Sequence, residues 1–131
     1  MYKENFDMSN ARKFSVFISS TYEDLKNERQ ALVGVALEHN LIPIGMEQFH
    51  AAPTSQWNVI TKMIDECDLY LLVIGGRYGS IDEETGMSYT EKEYNYAKTK
   101  GLPVLVLIKE PSAITETANI INIFVRNITN L

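Results

Sequence analysis

Asp68–Ile108, DLYLLVIGGRYGSIDEETGMSYTEKEYNYAKTKGLPVLVLI, is the stretch on which the fold turns. From Leu69 to Ile74 it is an unbroken apolar run, which suits a central parallel strand covered on both faces. A glycine-rich acidic loop follows, from Gly75 to Met87. Ser88-Tyr89-Thr90-Glu91 then reads as a capping box, with Ser88 at the N-cap and Glu91 three residues on. This predicts a helix that ends at Gly101. Leu102 to Ile108 is apolar again and reads as another buried strand. Strand, helix and strand in this succession make a βαβ unit, and such units give right-handed crossovers and a parallel sheet.

Upstream the same alternation appears twice more. Residues 1–12 show no periodicity and read as a flexible arm, so the folded domain spans residues 13–131. KFSVFISS holds Phe14, Val16, Phe17 and Ile18 and reads as a strand bounded by Ser19 and Ser20. Thr21 is placed to cap a helix running to about His39, with Glu23 and Asp24 in its first turn where the dipole favours them. Leu41 to Met46 is the second strand, and Pro43, which has no ladder donor, puts it at or near a sheet edge. Thr54 or Ser55 caps the next helix, along which Trp57, Ile60, Ile64 and Cys67 recur at core spacing. In the tail, Ile120, Ile121, Phe124, Val125 and Ile128 suit a helical face. The predicted architecture is a flavodoxin-like three-layer α/β sandwich. Its mostly parallel sheet has four strands in the order 2-1-3-4, with a fifth strand as the alternative. A doubly wound sheet usually has more strands, so the chain reads as the N-terminal part of a longer protein.

Composition narrows the function. The 131 residues are 45% apolar and 22% charged, ordinary values for a globular domain. Net charge is −5 and no Lys/Arg cluster occurs, which disfavours a nucleic-acid partner. The single cysteine, Cys67, excludes an internal disulfide and a cysteine-based zinc site, and it reads as an inert core thiol. No run approaches the length of a membrane span and the polar start lacks a signal-peptide core, so a cytoplasmic location is expected. Asp82-Glu83-Glu84 lacks the spacing of a calcium loop and reads as solvated, and no metal site is expected. His50, with no other histidine near it, reads as a surface residue. A P-loop, a dinucleotide fingerprint, a nucleophile elbow and a CxxC pair are all missing, which removes Walker-type ATPases.

Ligands of open parallel sheets bind beyond the carboxyl ends of the strands, where the winding reverses. In a 2-1-3-4 sheet the flanking loops are Ser19-Ser20-Thr21 and Gly75-Gly76-Arg77-Tyr78-Gly79. Hydroxyls and glycines there admit a ligand to the backbone, Arg77 offers charge and Tyr78 a stacking face. Arg29 shares a helix face with Leu25 and Leu32. It either lays its stem on the core and pairs with a carboxylate, or serves as a fixed cation beneath the pocket. Glu93 falls with Tyr89, Tyr96, Ala97 and Lys100 on the side facing sheet and crevice. With Ser88 and Glu91 capping the helix, Glu93 is released for chemistry; in the alternative box Thr90-x-x-Glu93 it is structural.

Beyond residue patterns, FISSTYEDLKNERQAL, LIPIGMEQF, IDECDLYLLVIGGRYGSIDEETGMSYTEKEYNYA and KGLPVLVLI together resemble the domain-of-unknown-function 4062 family, over roughly residues 14–110. Such domains often stand at the N-terminus of longer bacterial proteins, beside NACHT-type or other signalling NTPase modules. The family in turn is similar, more distantly, to TIR domains and nucleoside 2-deoxyribosyltransferases. The shared residues are Glu93, Ala97, Gly101, Pro103 and Val104. The TIR cysteine or serine before the glutamate has no clear match, with Tyr89 in the neighbouring position. The transferase Asp-x-Gly-Thr loop is only loosely echoed by Glu84 to Ser88. The resemblance implies Glu93 as the catalytic carboxylate for an N-glycosidic bond in NAD or a related nucleotide or nucleoside. It further implies Ser19, Ser20, Thr21, Gly75, Gly76, Arg77, Tyr78, Tyr89 and Arg29 around the substrate and no cofactor beyond it. A self-associating effector of a signalling or antiphage defence protein is the implied setting. A non-catalytic nucleotide sensor or self-association module is the alternative.

Overall fold

The structure, a computed structural model, describes residues 13–45 and 56–109. The expectations for the N-terminal arm, Met46, His50, the Thr54/Ser55 cap and the tail lie outside the described residues. Among the described residues four strands and three helices alternate: β1 Ser15–Ser19, α1 Lys26–Glu38, β2 Ile42–Ile44, α2 Gln56–Asp65, β3 Leu69–Ile74, α3 Tyr89–Thr99 and β4 Val104–Ile108. The sheet order is β2-β1-β3-β4 and every pairing is parallel. This is the expected flavodoxin-like α/β topology, with Pro43 on an edge strand.

Handedness distributes the helices. The step from β1 to β2 runs one way along the sheet, while β2 to β3 and β3 to β4 run the other. Right-handed crossovers therefore place α1 on one face and α2 with α3 on the opposite face. The core on the α2/α3 face joins Phe17, Tyr70, Leu72 and Ile74 of the strands to Ile60, Ile64, Tyr94 and Ala97 of the helices. Phe17 and Tyr70 lie in register on neighbouring strands and stack with ring centroids 5.7 Å apart. Cys67 closes this core as a buried free thiol, and burial, aided by the charges of Asp68 and Glu66, pushes it up to about 12. That is the inert thiol expected of its position.

Two local expectations are corrected. Thr21 does not cap α1: the helix begins at Lys26 with Leu25 at its N-cap and no side-chain hydrogen bond there. Residues 22–25 instead make a turn, closed by the Leu25 amide on the Tyr22 carbonyl, so Glu23 and Asp24 precede the helix. The reason is burial. Leu25 is 1% exposed, and seating it in the core fixes where the helix can start. The second correction concerns β4, expected to be buried. Among the described residues it pairs only with β3, and Leu105, Leu107 and Ile108 are exposed. An apolar run does not distinguish a central strand from an edge strand.

Candidate functional site

The sheet's alternation builds the site. Successive strand residues point to opposite faces, so Ser19 shares the α2/α3 side with Phe17, while Ser20 continues on the other. The Ser19 hydroxyl donates to Glu93 Oε1 at 2.7 Å. One residue on, the Ser20 hydroxyl accepts from Arg29 Nη1 at 3.0 Å, and the same nitrogen donates to the Ile18 carbonyl at 2.9 Å. Both charged side chains are buried, Arg29 at 1% exposure and Glu93 at 5%. Neighbouring serines thus anchor a cation from α1 and a carboxylate from α3.

Glu93 owes its place to the way α3 starts. Ser88 is the N-cap and its hydroxyl accepts from the Glu91 amide at 3.1 Å. The return half of the capping box is relayed: the Ser88 amide donates to the Tyr78 hydroxyl at 3.1 Å, and that hydroxyl donates to Glu91 Oε1. Capping is complete without Glu93. The buried face of α3 is Thr90, Glu93, Tyr94 and Ala97, one helical stripe. The grouping with Tyr96 and Lys100 does not hold, since both engage Asp65 at the surface. The turn before α3 is held by Asp82, which is buried rather than solvated. Its carboxylate takes the Glu84 amide and the Lys92 ammonium, and Lys92 also sits 4.1 Å from the centre of the Trp57 ring.

A cleft of about 560 Å³ opens at the carboxyl ends of β1 and β3. The loop after β1 lines it with Ser20, Thr21, Tyr22, Glu23 and Asp24. The loop after β3 contributes Arg77, Gly79 and Ser80, and Tyr89, Thr90 and Glu93 come from α3. Ile60 of α2 completes the wall. Gly79 has φ +102, and a Cβ there would lie 2.8 Å from Thr21 Cγ2, so glycine alone fits both the backbone and the space.

Of the residues singled out in the sequence, Ser20, Thr21, Arg77, Tyr89 and Glu93 line the cleft. Ser19 and Arg29 stand behind it, holding Glu93 and the β1 loop. Tyr78 is turned inward at 7% exposure, with its hydroxyl committed to the α3 cap. Gly75 and Gly76 do not line the cleft. Gly75 instead lets Leu25 pack closely, for a Cβ there would stand 2.9 Å from Leu25 Cδ2. Asp24, Ser80 and Thr90 escaped the sequence reading as cleft residues, while Gly79, read there as part of the flanking loop, does line the cleft.

Electrostatics set Glu93 apart. Burial raises its carboxyl from the ordinary 4.5 to about 7, against the lowering effects of the Ser19 hydrogen bond and the Arg29 charge. An acid that titrates near neutrality beside a cleft is suited to proton or charge chemistry. Among the described residues no group of histidine, cysteine, aspartate and glutamate is placed to hold a metal.

The profile of the domain of unknown function DUF4062 matches residues 15–123. The chain belongs to this family. Among solved structures, the DUF4062 chain is similar to the CMP N-glycosidase BcmB of Clostridium botulinum, at 19% identity and a TM-score of 0.52. The likeness covers 72% of this chain and 71% of the glycosidase, and it is a likeness of fold. No curated protein matches the chain. Among the described residues no helix is long and apolar enough to cross a membrane.

Proposed function

We propose that this DUF4062 domain binds a nucleotide in the cleft and cleaves its N-glycosidic bond with Glu93. The observation that carries the reading is Glu93 itself: a buried carboxylate lining a cleft at the sheet's switch point, released from helix capping and held by one serine hydroxyl. The fold shared with a CMP N-glycosidase supports it.

Cleavage of a base–ribose bond develops positive charge at the anomeric carbon. The C–N electron pair leaves with the base, and water supplies the hydroxyl that replaces it. Glu93, as the anion, stabilises that charge or attacks the carbon. NAD and nucleoside monophosphates are the substrates proposed. Nicotinamide leaves as a neutral molecule from a cationic ring, so a single carboxylate suffices for NAD. Arg77 at the cleft mouth meets a phosphate, and Tyr89, 36% exposed, lies against the base. The proposed setting is an effector of a bacterial signalling or defence protein that works in self-associated form.

The test incubates the protein at high concentration with NAD and, separately, with CMP, and follows release of nicotinamide or cytosine. Release that disappears in Glu93→Gln is the expected result. Release that is indifferent to that substitution sinks the role of Glu93. Saturable nucleotide binding without any release makes the domain a sensor.

A further inference from the structure

One carboxylate of the cleft has no part in the reaction just described. Asp24 lies in the turn between β1 and α1 and lines the cleft together with Thr21 and Glu93. Both oxygens of its carboxylate are withdrawn from solvent and have no hydrogen-bond partner, and the Thr21 hydroxyl is in the same condition. Native structures leave few buried polar atoms unpaired, and an unpaired carboxylate is among the costliest. The other acids of this fold show what a structural carboxylate looks like. Asp82 takes an ammonium and a backbone amide, and Asp68 takes the Ser15 amide at 2.9 Å. Asp24 has no such work, and it does not cap α1.

Its position is specific. A Cβ on Gly75 would lie 3.3 Å from Asp24 Oδ2, so the bare glycine makes room for the carboxylate against the loop after β3. The carboxylate therefore sits in the seam between the two loops that flank the switch point. Thr21, three residues before it, touches the opposite strand's loop at Gly79. Three unpaired, solvent-shielded oxygens from one turn thus belong to residues that line the same cleft as Glu93.

We propose that Asp24, assisted by Thr21, accepts the hydroxyl pair of a ribose and so makes the site select ribonucleotides over 2′-deoxyribonucleotides. The inference deepens the nucleotide reading of this cleft and rests on it. A carboxylate is an acceptor only, with two oxygens able to take parallel donors, and vicinal hydroxyls present two polar hydrogens side by side. The Thr21 hydroxyl both gives and accepts, and so completes the set. The 2′-hydroxyl also stands next to the anomeric carbon, as Asp24 and Thr21 stand in the same cleft as Glu93. Asp24 lines the cleft, so rotation of its side chain carries the oxygens to the ligand. A site built for such hydrogens rejects an analogue lacking one, because a buried acceptor is then left without a donor.

The experiment measures equilibrium binding of CMP, dCMP, AMP and dAMP in a Glu93→Gln background, where turnover does not intervene. Each ribonucleotide is expected to bind roughly ten- to hundredfold more tightly than its deoxy partner. Adding Asp24→Asn brings that ratio close to one without lowering the melting temperature, since no partner in the free protein is lost. Thr21→Val lowers the ratio in the same direction. A ratio left unchanged by both substitutions overturns the proposal while the nucleotide reading stands. So does a melting temperature depressed by Asp24→Asn, which reveals a structural partner. If none of the four nucleotides binds, the nucleotide reading itself falls, and this inference with it.

Discussion

Two buried charges flank the end of β1, and they are treated differently. Arg29 reaches up from α1 and is fixed by the Ile18 carbonyl and the Ser20 hydroxyl. Glu93 reaches across from α3 and receives the Ser19 hydroxyl. Arginine stays charged and is pinned to the backbone of the strand it supports. The carboxylate is carried to about 7 and faces a cleft. A charge tied to main-chain atoms is architecture, whereas a charge poised near its own titration point is available for chemistry.

The largest effect that tests this contrast is kinetic. Glu93→Gln is expected to lower N-glycosidic cleavage by roughly a thousandfold or more, in line with the loss of a group that stabilises a developing charge. Steady-state rates at matched folding, checked by circular dichroism, decide it; an active variant breaks the contrast. Next comes Arg29→Met, expected to cost about 1–3 kcal/mol in urea denaturation because it leaves the buried Ile18 carbonyl and Ser20 hydroxyl without their donor. A neutral result would show that Arg29 is not architectural.

A third test reads the titration of Glu93 through stability. Its folded-state value lies above the ordinary 4.5, so the folded state binds more protons than the unfolded state between pH 4.5 and about 7. Stability therefore falls as pH rises through that window, by on the order of 3 kcal/mol at about 1.4 kcal/mol per unit. Glu93→Gln should lose this slope, and denaturation curves at pH 4.5 and 7.5 measure it. The finest test compares the two serines. Ser19→Ala removes a bond that lowers the Glu93 titration, so the rise of kcat/KM with pH should shift upward. Ser20→Ala should leave that midpoint in place and cost about 1 kcal/mol of stability instead. Equal pH profiles for the two variants would erase the distinction between the neighbours.

Much of the fold is legible in the sequence. Leu69–Ile74, the Ser88 cap and the apolar run up to Ile108 define a βαβ unit, whereas the reversal of winding rests on the flavodoxin-like strand order, which alternation alone does not dictate. Glu93 stands out through the family resemblance, and the cap made by Ser88 and Glu91 leaves it without a capping task. Other features hid for physical reasons. Thr21 has the side chain of an N-cap, but the pull of Leu25 into the core moved the helix start past it. Leu105 and Leu107 look like β3 residues in sequence, yet among the described residues β4 pairs only with β3 and leaves them exposed. Asp24 meets Gly75 across fifty residues of chain, a proximity without local periodicity.

The Tyr78 hydroxyl has one more consequence. It receives the first amide of the α3 cap and donates to Glu91, so the loop after β3 is bolted to the helix that carries Glu93. Arg77, Gly79 and Ser80 therefore cannot swing aside without unseating the helix start. This wall is a mould cast before any ligand arrives, so the nucleotide proposed for the cleft would be selected there by shape at little entropic expense.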